Sequence, residues 1–342
     1  MITTETKGDI TLLTITNATG ASVTLSTLGA GIVAVNVPDA AGRMADVVLG
    51  YADPSDYMAD GPCAGKIPGR YANRIARGHF SIDGREYSLA INNGPNALHG
   101  GPTGFQNRIW AVESVGDNTV ELSYHSADGE EGYPGNLTAT ATYSWTDDNV
   151  LRLHLHAVSD ADTVVNLTNH AYFNLAGHNA GSVLDHVLQL NASGYLPTDD
   201  TLIPLGHVDP VAGTPMDFTA PKTLGRDIKA DFAALNYGKG YDNCYVIDGA
   251  DGTLRVAAVL TDPVSGRKLT VATDQPGVQI YTGNWLAGCP ANKAGRSYDD
   301  YDGVAIECQG YPDAPNRAAF PSQLLRADSA YDRDIEFRFT AE

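Results

Sequence analysis

Three short stretches of this chain hold side chains able to move protons. His170 stands in "VVNLTNHAYFNLAG", between Asn169 and Asn174 and beside Tyr172 and Phe173. His99 stands in "NALHGGPTGFQNRIW", where neighbouring glycines let backbone approach a ligand closely. Glu307 stands in "DGVAIECQGYPDAPN"; alternation puts it on one face with Ala305 and Gln309, opposite Val304 and Ile306. A carboxylate in the middle of such an apolar run is costly unless it is paired or catalytic. Imidazoles and amides beside aromatic rings suit a polyol, because rings cover C–H patches while polar groups bind hydroxyls. A satisfied core histidine would account for His170 alone, but less well for His99 in the same kind of setting.

Other polar clusters are less specific. "GKIPGRYANRIARG" places Arg70, Arg74 and Arg77 among glycines, with Asn73 before Arg74, and reads in isolation as a solvated basic loop. "GKGYDNCYVID" puts Asp242 ahead of an apolar run. His154 and His156 form a His-x-His pair on one strand face, a geometry that metal-binding β-proteins use. No further ligand stands at a characteristic offset, so the pair reads as polar residues on the outside of a sheet.

The elements that must position these groups are β-strands. Leu137, Ala139, Ala141, Tyr143 and Trp145 alternate with threonines and a serine, and Leu151, Leu153, Leu155 and Ala157 repeat the pattern after a turn at Asp147–Asn149. Further hairpins are predicted around Asp83-Gly84 and Pro263–Gly266, and "DIEFRFT" alternates Ile335, Phe337 and Phe339 with charged residues. "VVNLTN" predicts a buried strand ending at a sheet edge. No segment sustains a helical period, so the fold class is all-β. The turn-rich stretch between Asn191 and Asn243 reads as a functional loop region or a sheet cover. No linker or repeat divides the chain, and a single domain spanning 1–342 is expected.

Composition narrows the function. With 43% hydrophobic and 18% charged residues, the chain buries a sizeable core. A formal net charge of −19 works against nucleic acid or anionic membrane as partners. Neither a secretory signal nor a membrane-spanning stretch is evident, which predicts a cytoplasmic protein. Cys63, Cys244, Cys289 and Cys308 are scattered without a CxxC pair and read as free thiols. The N-x-S/T triplets at Asn17, Asn136, Asn166 and Asn191 carry no weight without a secretory signal.

Taken together, "GRYANRI", "LHGG", "DGEEGYPGNL", "NLTNHAYFNLAG", "YLPTDDTLIP", "GTPMDF", "GYDN", "VQIYTGNW", "ECQGYPDAPN" and "FPS" follow one another in a fixed order that resembles the aldose 1-epimerase (galactose mutarotase) family. The resemblance covers most of the chain from about Gly69 onward. It implies a large antiparallel β-sandwich of the galactose mutarotase-like supersandwich type, with a sugar cleft on a concave face. It also implies that α and β anomers of an aldose such as galactose or glucose are interconverted without cofactor or metal. Carried over position by position, it implies His170 as general acid, Glu307 as general base and His99 as a supporting active-site histidine. Asn73, Arg74, Asp242 and Gln279 then bind sugar hydroxyls. The enzyme is expected to be a monomer or homodimer with a small-molecule sugar as its partner.

Two departures from the family pattern stand out. Asn243 follows Asp242 where many relatives have histidine, which predicts altered hydroxyl recognition on one side of the sugar. Ala327 and Asp328 replace a Pro-Gly turn, a change that reads as structural. The rival readings are a glycoside hydrolase using Glu307 and Asp242 as its two carboxylates, a non-catalytic sugar-binding or sensor module, and a relative acting on hexose 6-phosphates.

Overall fold

The computed structural model describes residues 1–58 and 60–342. Three antiparallel sheets of five, nine and six strands form its framework, with three two-stranded ladders beside them. Strand pairing follows the alternation. In Leu137–Trp145 and Val150–Ser159, Leu137, Ala139, Ala141, Tyr143 and Trp145 pair with Ser159, Ala157, Leu155, Leu153 and Leu151. The apolar members of both rows are buried. Slipping the register by one residue would turn Leu151, Leu153 and Leu155 outward, at roughly 1.5–3 kcal/mol each, so the burial pattern itself locks the pairing. The last strand, Ala330–Ala341, sits in the middle of the nine-stranded sheet between Val150–Ser159 and Arg267–Thr273, with Ile335, Phe337 and Phe339 facing inward.

One continuous apolar core joins the three sheets. It includes Leu25 and Ile32 of the five-stranded sheet, Leu153 and Phe337 of the nine-stranded sheet, and Val278, Ile280, Val304 and Ile306 of the six-stranded sheet. Among the described residues the α-helix is limited to Ala233–Gly238, inside the turn-rich stretch that the sequence left irregular. None of the described helices is long and apolar enough to cross a membrane.

The segment before His170 corrects an expectation. "VVNLTN" is not a regular edge strand: only Thr163–Val164 pairs, with Leu324–Leu325, and Asn166 then makes a lone parallel bridge to Tyr71. The reason lies in the asparagines. The buried Asn166 amide donates to the Ala72 and Gly310 carbonyls at 3.1 and 3.3 Å, and its oxygen accepts the Gly310 N–H at 2.8 Å. Asn166 N–H also donates to the Arg70 carbonyl, and its own carbonyl accepts from Ala72 N–H. One side chain therefore ties together "GRYANRI", "NLTNH" and "ECQG". An asparagine that binds backbone competes with a regular ladder.

Asn166→Leu fills the same space but leaves these buried backbone groups without partners. At about 1–3 kcal/mol for an unsatisfied buried group, it should lower stability by about 3 kcal/mol or more. Urea unfolding measures this; an unchanged midpoint would show that Asn166 does not hold the segments together.

Candidate active site

The six-stranded sheet presents one face to the core and the other to a cleft. Pairing registers place Tyr172, Ala305, Tyr281 and Asp242 side by side across four strands. Two residues along, Glu307, Gln279 and Cys244 form the next row. Because side chains alternate, Ile306, Ile280 and Asn243 point the other way, into the core. Asn243 is 1% exposed and does not line the cleft. The expectation that it alters hydroxyl recognition is therefore corrected: an adjacent strand position belongs to the opposite face.

Histidines arrive from the other side. A short ladder pairs Arg74–Ile75 with Ala97–Leu98, and His99 N–H donates to the Asn73 carbonyl at 3.0 Å. Asn73 and His99 both have left-handed backbone, with φ of 63° and 52°. Such conformations cost energy in residues other than glycine and cluster at functional sites. The Asn73 N–H donates to His99 Nδ1 at 3.1 Å, which puts the proton of the neutral ring on Nε2. Beyond His99, Gly100 has φ of 79°, and a Cβ there would lie 1.9 Å from the Gly69 carbonyl oxygen. Only glycine fits that approach.

His170 is clamped by its own backbone, donating to the Lys66 carbonyl and accepting from Gly65 N–H, each at 2.9 Å. Its ring packs edge-on against His99 with centroids 5.3 Å apart, and lies 5.0 Å from the Tyr172 ring. Its Nε2 is 3.5 Å from Glu307 Oε1. Both residues are almost wholly buried, at 5% and 1% exposure. Burial holds the His170 imidazole down to about 4, with a further push from the Lys66 charge, against a backbone hydrogen bond that acts the other way. Burial raises the Glu307 carboxyl well above the usual range; the nearby Asp242 charge adds to this, and Arg74 opposes it. His99 is likewise held well below the usual imidazole range by burial and by its neighbours His170 and Arg74. The cleft without sugar therefore favours neutral groups over separate ions.

Remaining candidates surround this pair. Gln279 Nε2 donates to Asp242 Oδ1 at 2.6 Å, and Arg74 Nη2 lies 3.9 Å from Asp242 Oδ2. Arg74 Nε donates to Asn93 Oδ1 at 3.0 Å. Asn73, Arg74, His99, His170, Asp242 and Glu307 all line one cleft of about 640 Å³. Gln279 stands behind the surface as the support of Asp242 rather than on the lining. Among the described residues, Glu307 Oε2 and Gln279 Oε1 have no hydrogen-bond partner.

Several assignments from local composition do not hold. Asn169 and Asn174 are not hydroxyl binders: Asn169 donates to the Gly65 carbonyl at 2.7 Å, and Asn174 to the Gly181 and Asp302 carbonyls at 2.6 and 2.9 Å. Both are buried struts. Phe173 packs on Phe337 and Phe339 in the core, whereas Tyr172 faces the cleft. Of the arginine cluster, Arg70 is buried and braces the Pro134 and Gly135 carbonyls and Ser126, and Arg77 lies outside the lining. Ala327 and Asp328 lie in a surface turn that Arg326 anchors to Asp83 and Asp162.

The cleft also contains residues that the reading of single motifs missed. Tyr281 and Trp285 come from "VQIYTGNW", Asp200, Thr201 and Leu202 from "YLPTDDTLIP", and Tyr237 from the short helix. Trp285 is 63% exposed at the rim, with the Lys239 ammonium 4.3 Å from its ring centroid. The available signal was an aromatic at the end of "VQIYTGNW"; its direction was not readable from sequence.

The aldose 1-epimerase profile matches residues 11–338. Galactose mutarotase from Homo sapiens is 44% identical over 312 residues, covering 91% of this chain and 89% of the relative. Aldose 1-epimerase from Escherichia coli K12 is 37% identical over 333 residues, covering 97% and 95%. Among solved structures, an aldose epimerase homologue from C. elegans superposes with a TM-score of 0.89 at 31% identity, covering 96% of this chain and 98% of that one. Galactose 1-epimerase from Lactobacillus acidophilus gives a TM-score of 0.86 at 28% identity, with 100% and 98% covered. With an antiparallel β-sandwich, a buried imidazole–carboxylate pair and a match along nearly its whole length, the chain belongs to the aldose 1-epimerase family.

Proposed function

We propose that this cleft interconverts the α and β anomers of an aldose such as galactose or glucose, by acid–base ring opening and closure. The observation that carries the reading is the 3.5 Å approach of His170 Nε2 to Glu307 Oε1 on the wall of a polar cleft. Ring opening needs one group that takes the C1 hydroxyl proton and one that gives a proton to the ring oxygen. Glu307 takes the first and His170 gives the second; the C1–O5 bond breaks and an aldehyde forms. Rotation about C1–C2 exposes the other carbonyl face, and O5 closes on it while both protons return. The pair ends as it began, so no cofactor is consumed.

One proton shared by the two residues satisfies this scheme. In the free cleft burial drives that proton toward Glu307. When the sugar binds, its hydroxyls and the Arg74 charge stabilise the carboxylate, and the proton passes to His170. The net charge of the pair is the same in both forms, so the transfer avoids the cost of an isolated buried ion. His99, with Nε2–H toward the sugar, supports the substrate as a hydrogen-bond donor. Asn73, Arg74 and Asp242 fix the hydroxyls, with Gln279 holding Asp242. The second carboxylate that a hydrolase would need, Asp242, is already tied to Gln279 and faces Arg74. The same reading takes the chain as one cytoplasmic domain working as a monomer or homodimer, with neither nucleic acid nor membrane as partner; light scattering and cell fractionation test these points.

Polarimetry of freshly dissolved α-D-galactose, α-D-glucose, xylose and arabinose should show faster approach to an unchanged end point. Equal rates with and without protein, across all four sugars, would sink the proposal.

Glu307→Gln keeps size and hydrogen bonding but removes the base. Turnover should fall by about 10²- to 10⁴-fold or more, whereas Asp242→Asn should act mainly on KM. Near wild-type kcat for Glu307→Gln together with loss of activity in Asp242→Asn would mean that the base is misassigned.

Activity requires that the pair hold one proton. Below about pH 4 His170 gains a second proton and no base is left, so kcat/KM should fall on the acid side close to that value. On the alkaline side the pair loses its remaining proton only well above the usual carboxylate range, because Glu307 is raised. A plateau across neutral pH with these two limbs is expected; an acid limb near pH 6.5, the ordinary imidazole value, would contradict the shared-proton scheme.

A further inference from the structure

His154 and His156 are two residues apart on the outer face of the nine-stranded sheet, and their strand pairs with Ala330–Ala341. The register sets Asp332 directly opposite His156 and Asp334 directly opposite His154. The carboxylates that were missing from the sequence near the His-x-His pair are thus supplied by a strand about 180 residues away along the chain. His156 Nδ1 lies 2.8 Å from Asp332 Oδ1, and His154 Nε2 lies 3.5 Å from the same oxygen. His154 Nδ1 is engaged separately by Asp334 Oδ1 at 3.0 Å. The two rings are near parallel, with centroids 6.4 Å apart and an interplanar angle of 24°.

We propose that His154, His156 and Asp332 form a binding site for a late first-row divalent cation, with zinc as the first to test. One donor atom from each residue lies within 4.8 Å of the others. Donors around a tetrahedral zinc stand about 3.3 Å apart when each bond is about 2.0 Å, so a modest rotation of these half-exposed side chains closes the set. Asp334 supplies the supporting contact that such sites use. By accepting a hydrogen bond from His154 Nδ1 it fixes the tautomer and leaves Nε2 free to bind metal. Two imidazoles with a carboxylate select zinc, copper or nickel over magnesium or calcium, which prefer all-oxygen ligand sets. Two aspartates supply charge to balance a dication, and of the basic side chains on the same face Arg152 and Arg338 are both paired with Glu336 and Lys268 with Glu342.

The site lies on the outer face of the nine-stranded sheet, with the core between it and the cleft, so bound metal does not touch the sugar. Its effect is to clip Val150–Ser159 to the last strand, stabilising the folded chain in proportion to occupancy.

The test is zinc binding to the full chain after dialysis against EDTA, followed by equilibrium dialysis and calorimetry. One zinc per chain is expected, with a rise of a few degrees in the unfolding midpoint and no change in anomerase rate. His154→Gln with His156→Gln should weaken binding by at least about tenfold, since even supporting contacts are worth 10- to 100-fold. His207→Gln, which disrupts an exposed histidine–aspartate pair elsewhere, should leave binding unchanged. Anomalous diffraction from zinc-soaked crystals of the unaltered protein should place the ion between His154, His156 and Asp332, independently of any variant. No saturable binding up to about 1 mM zinc, equal binding by the double variant, or an ion located elsewhere would overturn the assignment.

Discussion

The site depends on one constraint: a carboxylate and an imidazole, both almost fully buried, 3.5 Å apart. Neither can ionise alone without a heavy desolvation cost, yet each stabilises the other's charge. In the proposed scheme they share one proton, which burial places on Glu307 in the free cleft and sugar binding moves to His170. That is the property an anomer-exchanging enzyme needs, because the forward and reverse halves of the reaction use the same two groups with their roles exchanged. The rest of the structure exists around this pair: an apolar sheet that keeps Glu307 out of water, and a clamp that fixes His170 through its backbone.

Holding the pair requires segments distant in sequence to meet at fixed separations. Glu307 comes from a wholly buried central strand, while His170 comes from irregular chain whose path is set by asparagine side chains. Asn166 connects the two directly by bonding Gly310 on both its amide and its carbonyl side. The left-handed residues Asn73 and His99 then bring the second histidine within ring contact of the first. Regular secondary structure supplies the wall of the cleft, and side-chain-to-backbone bonding supplies its opposite side.

Legibility in the sequence followed the same division. Where one sheet face is buried, the two-residue period is dictated by water, and strands such as Leu137–Trp145 could be read directly. The placement of Glu307 opposite Ile306 was readable for the same reason. Around His170 the chain is irregular, and composition does not say where an amide points: Asn169 and Asn174 looked like hydroxyl binders and are buried struts. Asp242 stood out as a charge ahead of an apolar run, but Gln279 emerged only through the family resemblance, because their partnership spans two strands. Tyr281 and Trp285 were inside a recognised motif, but their exposure to the cleft comes from tertiary placement. Asp332 and Asp334 illustrate the limit: pairing across 176 and 180 residues put them beside His156 and His154, and no local spacing announces it.

The most direct test of the shared proton is ¹⁵N NMR of the His170 ring, read between pH 4 and 9 with and without sugar. Free protein should show a neutral imidazole at pH 7 that takes up a proton only near pH 4, and saturation with galactose should shift the ring toward the protonated form. A ring that is already imidazolium at pH 7 in the free protein, or one that stays neutral and unchanged when sugar fills the cleft, would contradict the account.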